Sequence, residues 1–476
     1  MRALVLAAVI VLTATVAAEQ PSRDPEIESL AFRTFSLSPE LAADVLLRLA
    51  ASPRVTDPSW KRELVDAAWE RSFSAREPFR REAANAPPDS RAAADTLAFD
   101  TRLDRVNLQT RAVVQTLRLS AARAREMFEW IDFELKPQPC EEPLVPVVDE
   151  YYSTLAAVAR TAFGESFIER ADGLWFFQLY MWKASRPQEM LGITRATLQY
   201  KASPPDAQYL ESVLQWIFEH SVQDARGFSA SGIDLVARVA ELDAYDVAQQ
   251  VTGGTLLRAF RRYLLSQFSG PRCVDSQTEF SAIDMFNRLA SRRADGVADL
   301  KPIARSDTRP SRMLGPVRYD RMWQTSESQR LRSVAAALYG NGRQAHTEAY
   351  KAGRDWQDAA RRFVEDLERW NGAHEPNDRD YYYEKSALLT GLLEIAPSGA
   401  IKSRALGDLV AFLKRTSGRQ APAAWYAHVK RLVDLATGRE REAILDAMEQ
   451  SDDPALAIYA RLDRMRVEDA RRRATN

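Results

Sequence analysis

The stretch GRDWQDAARRFVEDLERW, residues 353–370, decides the fold. Its apolar residues Trp356, Ala360, Phe363, Leu367 and Trp370 recur at intervals of four, three, four and three, and charged residues fill most positions between them. At 3.6 residues per turn these intervals fall on one face, so the segment reads as an amphipathic helix that must bury its stripe against another helix. Leu257, Phe260, Leu264 and Phe268 repeat the pattern, as do Leu41, Val45 and Leu49 within SPELAADVLLRLAAS. Runs of alternating β-branched residues are nearly absent, so strands are expected to be minor. The fold class is all-α.

Helix starts share one chemistry. Asp24-Pro25, Ser38-Pro39, Asp57-Pro58 and Asp453-Pro454 each set a capping side chain before a proline. The cap accepts from orphan N–H groups of the first turn, and proline at the first helical position forfeits no hydrogen bond. Ser203 and Ser398 are further cap candidates, and Thr437-Gly438-Arg439-Glu440 has capping-box spacing. The spans Asp24–Asp57 and Ala421–Asp453 each hold two helices in a little over thirty residues. That is the length of helical-hairpin repeats such as TPR and HEAT, whose residue signatures are not found at a fixed period. An α-solenoid-like array of hairpins is therefore expected. Its parts are an N-terminal three-helix segment (19–75), a linker (76–93), a central helical domain (94–299), an irregular Arg- and Pro-rich segment (300–323) and a C-terminal helical domain (324–476).

With 66 acidic against 65 basic residues the formal charge is −1, which gives no electrostatic case for nucleic acid as a partner. Arg2, the apolar run ALVLAAVIVL (3–12) and the small residues up to Ala17 and Ala18 have the pattern of a secretory signal peptide over 1–18. A periplasmic or secreted protein is expected. No apolar run in the mature chain reaches the roughly 20 residues needed to span a bilayer; LWFFQLYMW (174–182) covers nine. Cys140 in KPQPCEEPLVP and Cys273 in SGPRCVDSQ are the two cysteines. An even number in an oxidising compartment, without C-x-x-C, points to a structural disulfide between them.

Candidate sites are few. The stretch AFGESFIERADGLWFFQLYMW (162–182) contains Glu165-Ser166, Gly173-Leu174 and Gln178-Leu179. These resemble the Glu-Ser and Gly-Leu-Met-Gln signatures of lytic transglycosylases, and the resemblance implies Glu165 as the acid that protonates a glycosidic oxygen. The interval between the two elements is shorter here, and Trp175-Phe176-Phe177 interrupts the second. Read from the residues alone, the stretch is a helix apolar all round and therefore buried, with Trp175, Leu179 and Trp182 packed on one side and Phe177 and Met181 on another. An exposed aromatic docking surface is a third reading. In LKPIARSDTRPSRMLGPVRYDRMW (300–323), Arg305, Arg309, Arg312 and Arg318 are the candidate ligand-facing residues, because guanidinium groups bind carboxylate or phosphate bidentately. His374, Glu375, Asp378 and Asp380 offer ligand atoms without a metal-site spacing. Tyr381, Tyr382 and Tyr383 point in different directions on a helix, so core packing with one partly exposed ring is expected. No nucleotide-binding glycine loop, G-x-S-x-G elbow or zincin motif occurs, and no catalytic, cofactor or metal residue is assigned.

SLSPELAADVLLRLAASPRVTDPSWKRELVDAAWERS (36–72) resembles the N-terminal part of a group of exported, uncharacterised helical proteins of acidobacterial type, through its P-E-L-A-A-D-x-L-L-R-L and W-K-R-E-L-x-x-x-A helices. The resemblance implies export and helicity and carries no activity. The functional expectation is a binding or scaffolding protein of the cell envelope, with a protein or peptide partner. The alternative is a glycan-cleaving enzyme of the envelope.

Overall fold

The computed structural model describes residues 23–476 apart from 84–85, 165, 201–202, 251–253, 275, 294–296, 298–299, 341–345, 436–437 and 476. The expected signal peptide over 1–18, Glu165 and the cap candidate Thr437 thus lie outside the described residues. Helices dominate the described residues. The N-terminal helices are α1 (Pro25–Arg33), α2 (Pro39–Ala51) and α3 (Pro58–Ser72). Asp24, Ser38 and Asp57 stand at their N-caps, and the carboxylates of Asp24 and Asp57 accept from the first-turn N–H groups. Asp57→Ala is expected to cost about 1 kcal/mol, measured by chemical denaturation.

The middle of the chain forms α4 (Arg91–Phe99), α5 (Arg105–Leu117), α6 (Ala121–Glu129), α7 (Asp149–Thr161), α8 (Phe167–Met181), α9 (Pro187–Tyr200), α10 (Pro204–His220), α11 (Ala225–Ala248), α12 (Thr255–Ser269) and α13 (Ser276–Arg293). Alternate helices touch. The row α5, α7, α9, α11, α13 makes one layer, and α8, α10 and α12 make a second against it. This is how hairpins stack: each helix buries its stripe on its hairpin partner and on the corresponding helix of the next hairpin.

The C-terminal part contributes α14 (Ser326–Tyr339), α15 (Glu348–Lys351), α16 (Arg354–Arg369), α17 (Asp378–Ile395), α18 (Ala400–Thr416), α19 (Pro422–Leu435), α20 (Gly438–Glu449) and α21 (Pro454–Thr475). Helix α16 buries Trp356, Ala360, Phe363 and Leu367, the stripe read from its sequence. Here too alternate helices meet, α14, α16, α18 and α20 in one row and α17 with α19 in another. Helix α19 then packs on α4 and α2, and α21 on α1 and α2, so the last helices return to the first. One hydrophobic core runs from Ile27 to Met465. Ser398 does not cap α18 as expected. Gly399 takes that place at φ 150°, a conformation L-residues avoid, and Ser398 instead donates to Glu440.

Among the described residues, four short strands occur. β1 (Arg81–Glu82) pairs antiparallel with β2 (Val145–Pro146), and β3 (Pro271–Val274) pairs parallel with β4 (Arg312–Pro316). Beside β3 the sulfur atoms of Cys140 and Cys273 lie 2.09 Å apart, at bonding distance, with Cα atoms 5.5 Å apart. The disulfide ties the coil after α6 to β3.

Residues 300–323 are more regular than their composition suggests. They hold a 3-10 turn at Arg305–Thr308, then β4, then a bridge between Arg321 and Ser90. The segment buries Ile303, Thr308, Met322 and Trp323, and buried backbone requires hydrogen-bond partners. The Met322 N–H accordingly donates to the Asp89 carbonyl (2.9 Å), and the Trp323 N–H to Glu384 Oε1 (2.5 Å). The segment is a strap from β3 back to α4 and α17.

Burial, with Glu375 and Asp380 nearby, pushes the Glu384 carboxyl up to about 7 despite that N–H donor. A carboxyl raised on folding adds stability that is full below the unfolded value and lost as pH rises through the folded one. Glu384→Gln keeps an acceptor for Trp323, so it is expected to be more stable than wild type at pH 8 and no better at pH 5. Thermal melts at the two pH values check this.

Candidate functional site

Helix α8 starts with a capping box. Ser166 Oγ accepts the Glu169 N–H (3.3 Å), and the Glu169 carboxylate accepts the Ser166 N–H (3.2 Å). Gly173 serves packing: a Cβ there would lie 2.6 Å from the Ala159 carbonyl oxygen of α7. The two helices cross closely only because this residue lacks a side chain. Gly173→Val is expected to push them apart and cost about 1–3 kcal/mol by chemical denaturation. Gln178 is fully buried. Of the residues that carry the transglycosylase resemblance, Ser166 and Gly173 therefore have structural work to do, and Glu165 lies outside the described residues.

The far side of α8 corrects the sequence reading. Phe177 and Met181 are fully buried, as expected, with Leu174, Phe176 and Tyr180 nearly so. Phe177 stacks on Tyr200 at 4.9 Å, and Phe176 meets Phe128, Phe163 and Tyr180. Trp175, Leu179 and Trp182, expected in the core, are instead 55%, 43% and 38% exposed, and Ile168 is 71% exposed. The reason is the layer: α7 and α10 cover one side of α8, and no described helix covers the other. Trp175 and Trp182 touch edge to face at 5.7 Å.

Helix α10, the neighbour in the same layer, continues the surface. It buries Leu210, Val213, Leu214, Ile217 and Phe218 and exposes Tyr209 and Trp216. The Trp216 ring stacks on His220 at 4.4 Å, which holds it flat. Ile168, Trp175 and Trp182 are seven residues apart along α8, as are Tyr209 and Trp216 along α10. Seven residues are close to two turns, so each set forms a stripe; the α8 stripe is about 21 Å long at 1.5 Å per residue. Large apolar side chains exposed in such an array mark interaction surfaces rather than scattered surface residues. Composition hid this. A tryptophan in a helical stripe reads the same whether a neighbouring helix covers it or not.

The side chains of Arg305, Arg309, Arg312 and Arg318 are all exposed on the strap. Arg305 opens the 3-10 turn, Arg309 follows it, Arg312 begins β4 and Arg318 lies in the coil beyond. Other charges of the strap serve structure: Arg321 pairs with Asp89 (2.7 Å), and Asp320 accepts from Arg91 (3.4 Å). In the acidic loop, Glu375 accepts from Thr325 (2.6 Å) and Asp380 from Arg91 (2.6 Å). No group of three or more metal-ligating side chains forms among the described residues. Tyr381 and Tyr382 are buried and Tyr383 half-buried, as their helix geometry requires.

No protein-family model matches the chain, and no curated protein matches its sequence. Among the described residues, no helix is long and apolar enough to cross a membrane.

Proposed function

We propose that the protein is an exported binding or scaffolding protein of the cell envelope, and that the aromatic face of α8 and α10 receives an amphipathic helix of a partner protein. The observation that carries this reading is the seven-residue spacing of exposed Ile168, Trp175 and Trp182, matched by Tyr209 and Trp216 on the next helix of the layer. A partner helix with an apolar face repeats at the same interval, so its side chains fall between these rings along their whole length. Tryptophan and tyrosine suit the role: they bury large area and lose few rotamers on binding. Export is supported by the leader pattern and by the disulfide, a bond that persists in oxidising compartments.

Trp175→Ser combined with Trp182→Ser is expected to abolish partner binding and to change stability by less than about 1 kcal/mol, because both rings are solvent-exposed in the free protein. Binding is read by pull-down from the host envelope and stability by denaturation of the same preparation. Release of soluble glycan from peptidoglycan by wild-type protein, lost in Glu165→Gln, would replace this reading with the enzymatic one.

A further inference from the structure

We propose that the cleft where α2, α19 and α21 meet binds a small monoanion with an apolar body, such as a free medium-chain carboxylate. This site is separate from the aromatic face, and its volume is about 400 Å³, within the range of small-molecule sites. Its walls are made by the register of two helices. Tyr426, Val429, Lys430 and Val433 line it from α19, and Tyr459, Leu462 and Met465 from α21.

The floor is a fixed cation. The Arg48 guanidinium donates from Nε to Asp44 (2.7 Å) and from an Nη to the Tyr426 hydroxyl (2.5 Å). It also lies 5.4 Å and 5.6 Å from the ring centroids of Tyr426 and Tyr459, which stack on each other at 4.3 Å. Ordering the guanidinium is therefore complete before any ligand arrives, while its side chain stays 41% exposed. Charge at the floor does not cancel. The one Asp44 carboxylate is shared by Arg48 and Arg111, leaving an excess positive charge.

The acidic groups of the walls set the limits. Asp463 is held by Arg441 and Arg466, whereas Asp469 shares Arg54 with Glu26 and Glu468, so that end of the cleft is acidic and an anion is directed to the Arg48 end. Lys430 and Asp434 are exposed one turn apart at the rim, and neither is engaged by another described residue. Lys430 offers a second cation, while Asp434 repels a second negative charge and so favours a singly charged ligand. The aliphatic side chains of Val429, Val433, Leu462 and Met465 take the apolar body.

Isothermal titration of the mature protein with octanoate tests the assignment. Saturable binding at one site is expected, with 1-octanol at least about tenfold weaker because it lacks the charge that Arg48 reads. Arg48→Gln is expected to weaken octanoate at least about tenfold. Since that change also disturbs the ion cluster beneath, Ala51→Trp, which fills the cleft from its exposed rim, is the second variant and is expected to block binding with the melting transition retained. Absence of saturable binding, equal affinity for octanol, or wild-type affinity in Ala51→Trp would each overturn the proposal.

Discussion

Asp44→Ala is expected to destabilise the protein by about 1–3 kcal/mol, the cost of leaving the donors around a buried carboxylate without their acceptor. Asp44 is wholly buried and accepts from Arg48, from Arg111 (2.7 Å) and from the Tyr459 hydroxyl (3.0 Å). Its loss leaves two guanidinium groups facing each other with no counter-ion. The three donors come from α2, α5 and α21, so the effect falls on the seam where the C-terminal helices return to the N-terminal ones. Denaturant titration at pH 7 measures it, and the transition should shift as a whole because one core spans the seam. The pH dependence gives an independent check. Burial pushes the Asp44 carboxyl up, but Arg48 and then Arg111 pull it further down, below the ordinary aspartate range. A carboxyl lowered on folding contributes stability that is present above its unfolded value and is lost as pH falls through the folded one. The stability gap between wild type and Asp44→Asn should thus be widest near neutrality and narrow below about pH 4.

Replacing both Cys140 and Cys273 with serine is expected to cost about 5 kcal/mol in the chain-entropy model for a closure of 133 residues. The bond holds the coil after α6 against β3, and β3 in turn pairs with β4 of the strap. Loss of the bond should therefore loosen the strap ahead of the helical layers. Denaturation with and without reductant measures the global cost, and hydrogen exchange of Arg312–Pro316 reads the local one. Non-reducing peptide mapping should recover Cys140 linked to Cys273; two free thiols would remove the bond.

The helical array was legible because its signals are local. The four-three spacing of Trp356 to Trp370 and the Asp-Pro and Ser-Pro starts depend on neighbours within a few residues, and the structure places helices there. The pairing of the two cysteines followed from their number, the lack of C-x-x-C and the oxidising compartment that the leader pattern implies. What was not legible depends on residues far apart in the chain. Arg48 meets Tyr426 across 378 positions, and Asp44 meets Tyr459 across 415. No local pattern marks such partners, so the buried ion cluster and the cleft above it went unread. The aromatic face was one of three readings of 162–182, and the sequence could not choose it, for a related reason. The spacing of Trp175, Leu179 and Trp182 gives a stripe, but only the arrangement of α7 and α10 decides that the stripe faces solvent. For Ser398, the signal was one residue out of register: Gly399 stands at the N-cap of α18, and the Ser398 hydroxyl turns to Glu440 forty-two positions away.

The most direct test of the binding role places a photo-cross-linking side chain at Leu179, in the middle of the aromatic stripe, and at Arg354, whose side chain is 93% exposed on another helix. Both variants are irradiated in the host envelope and the adducts are read by mass spectrometry. A single reproducible partner protein joined at position 179 through an amphipathic helix, and absent at position 354, is the predicted result. Adducts only to a second copy of this chain or to glycan, identical adducts from both positions, or none at 179 would contradict it.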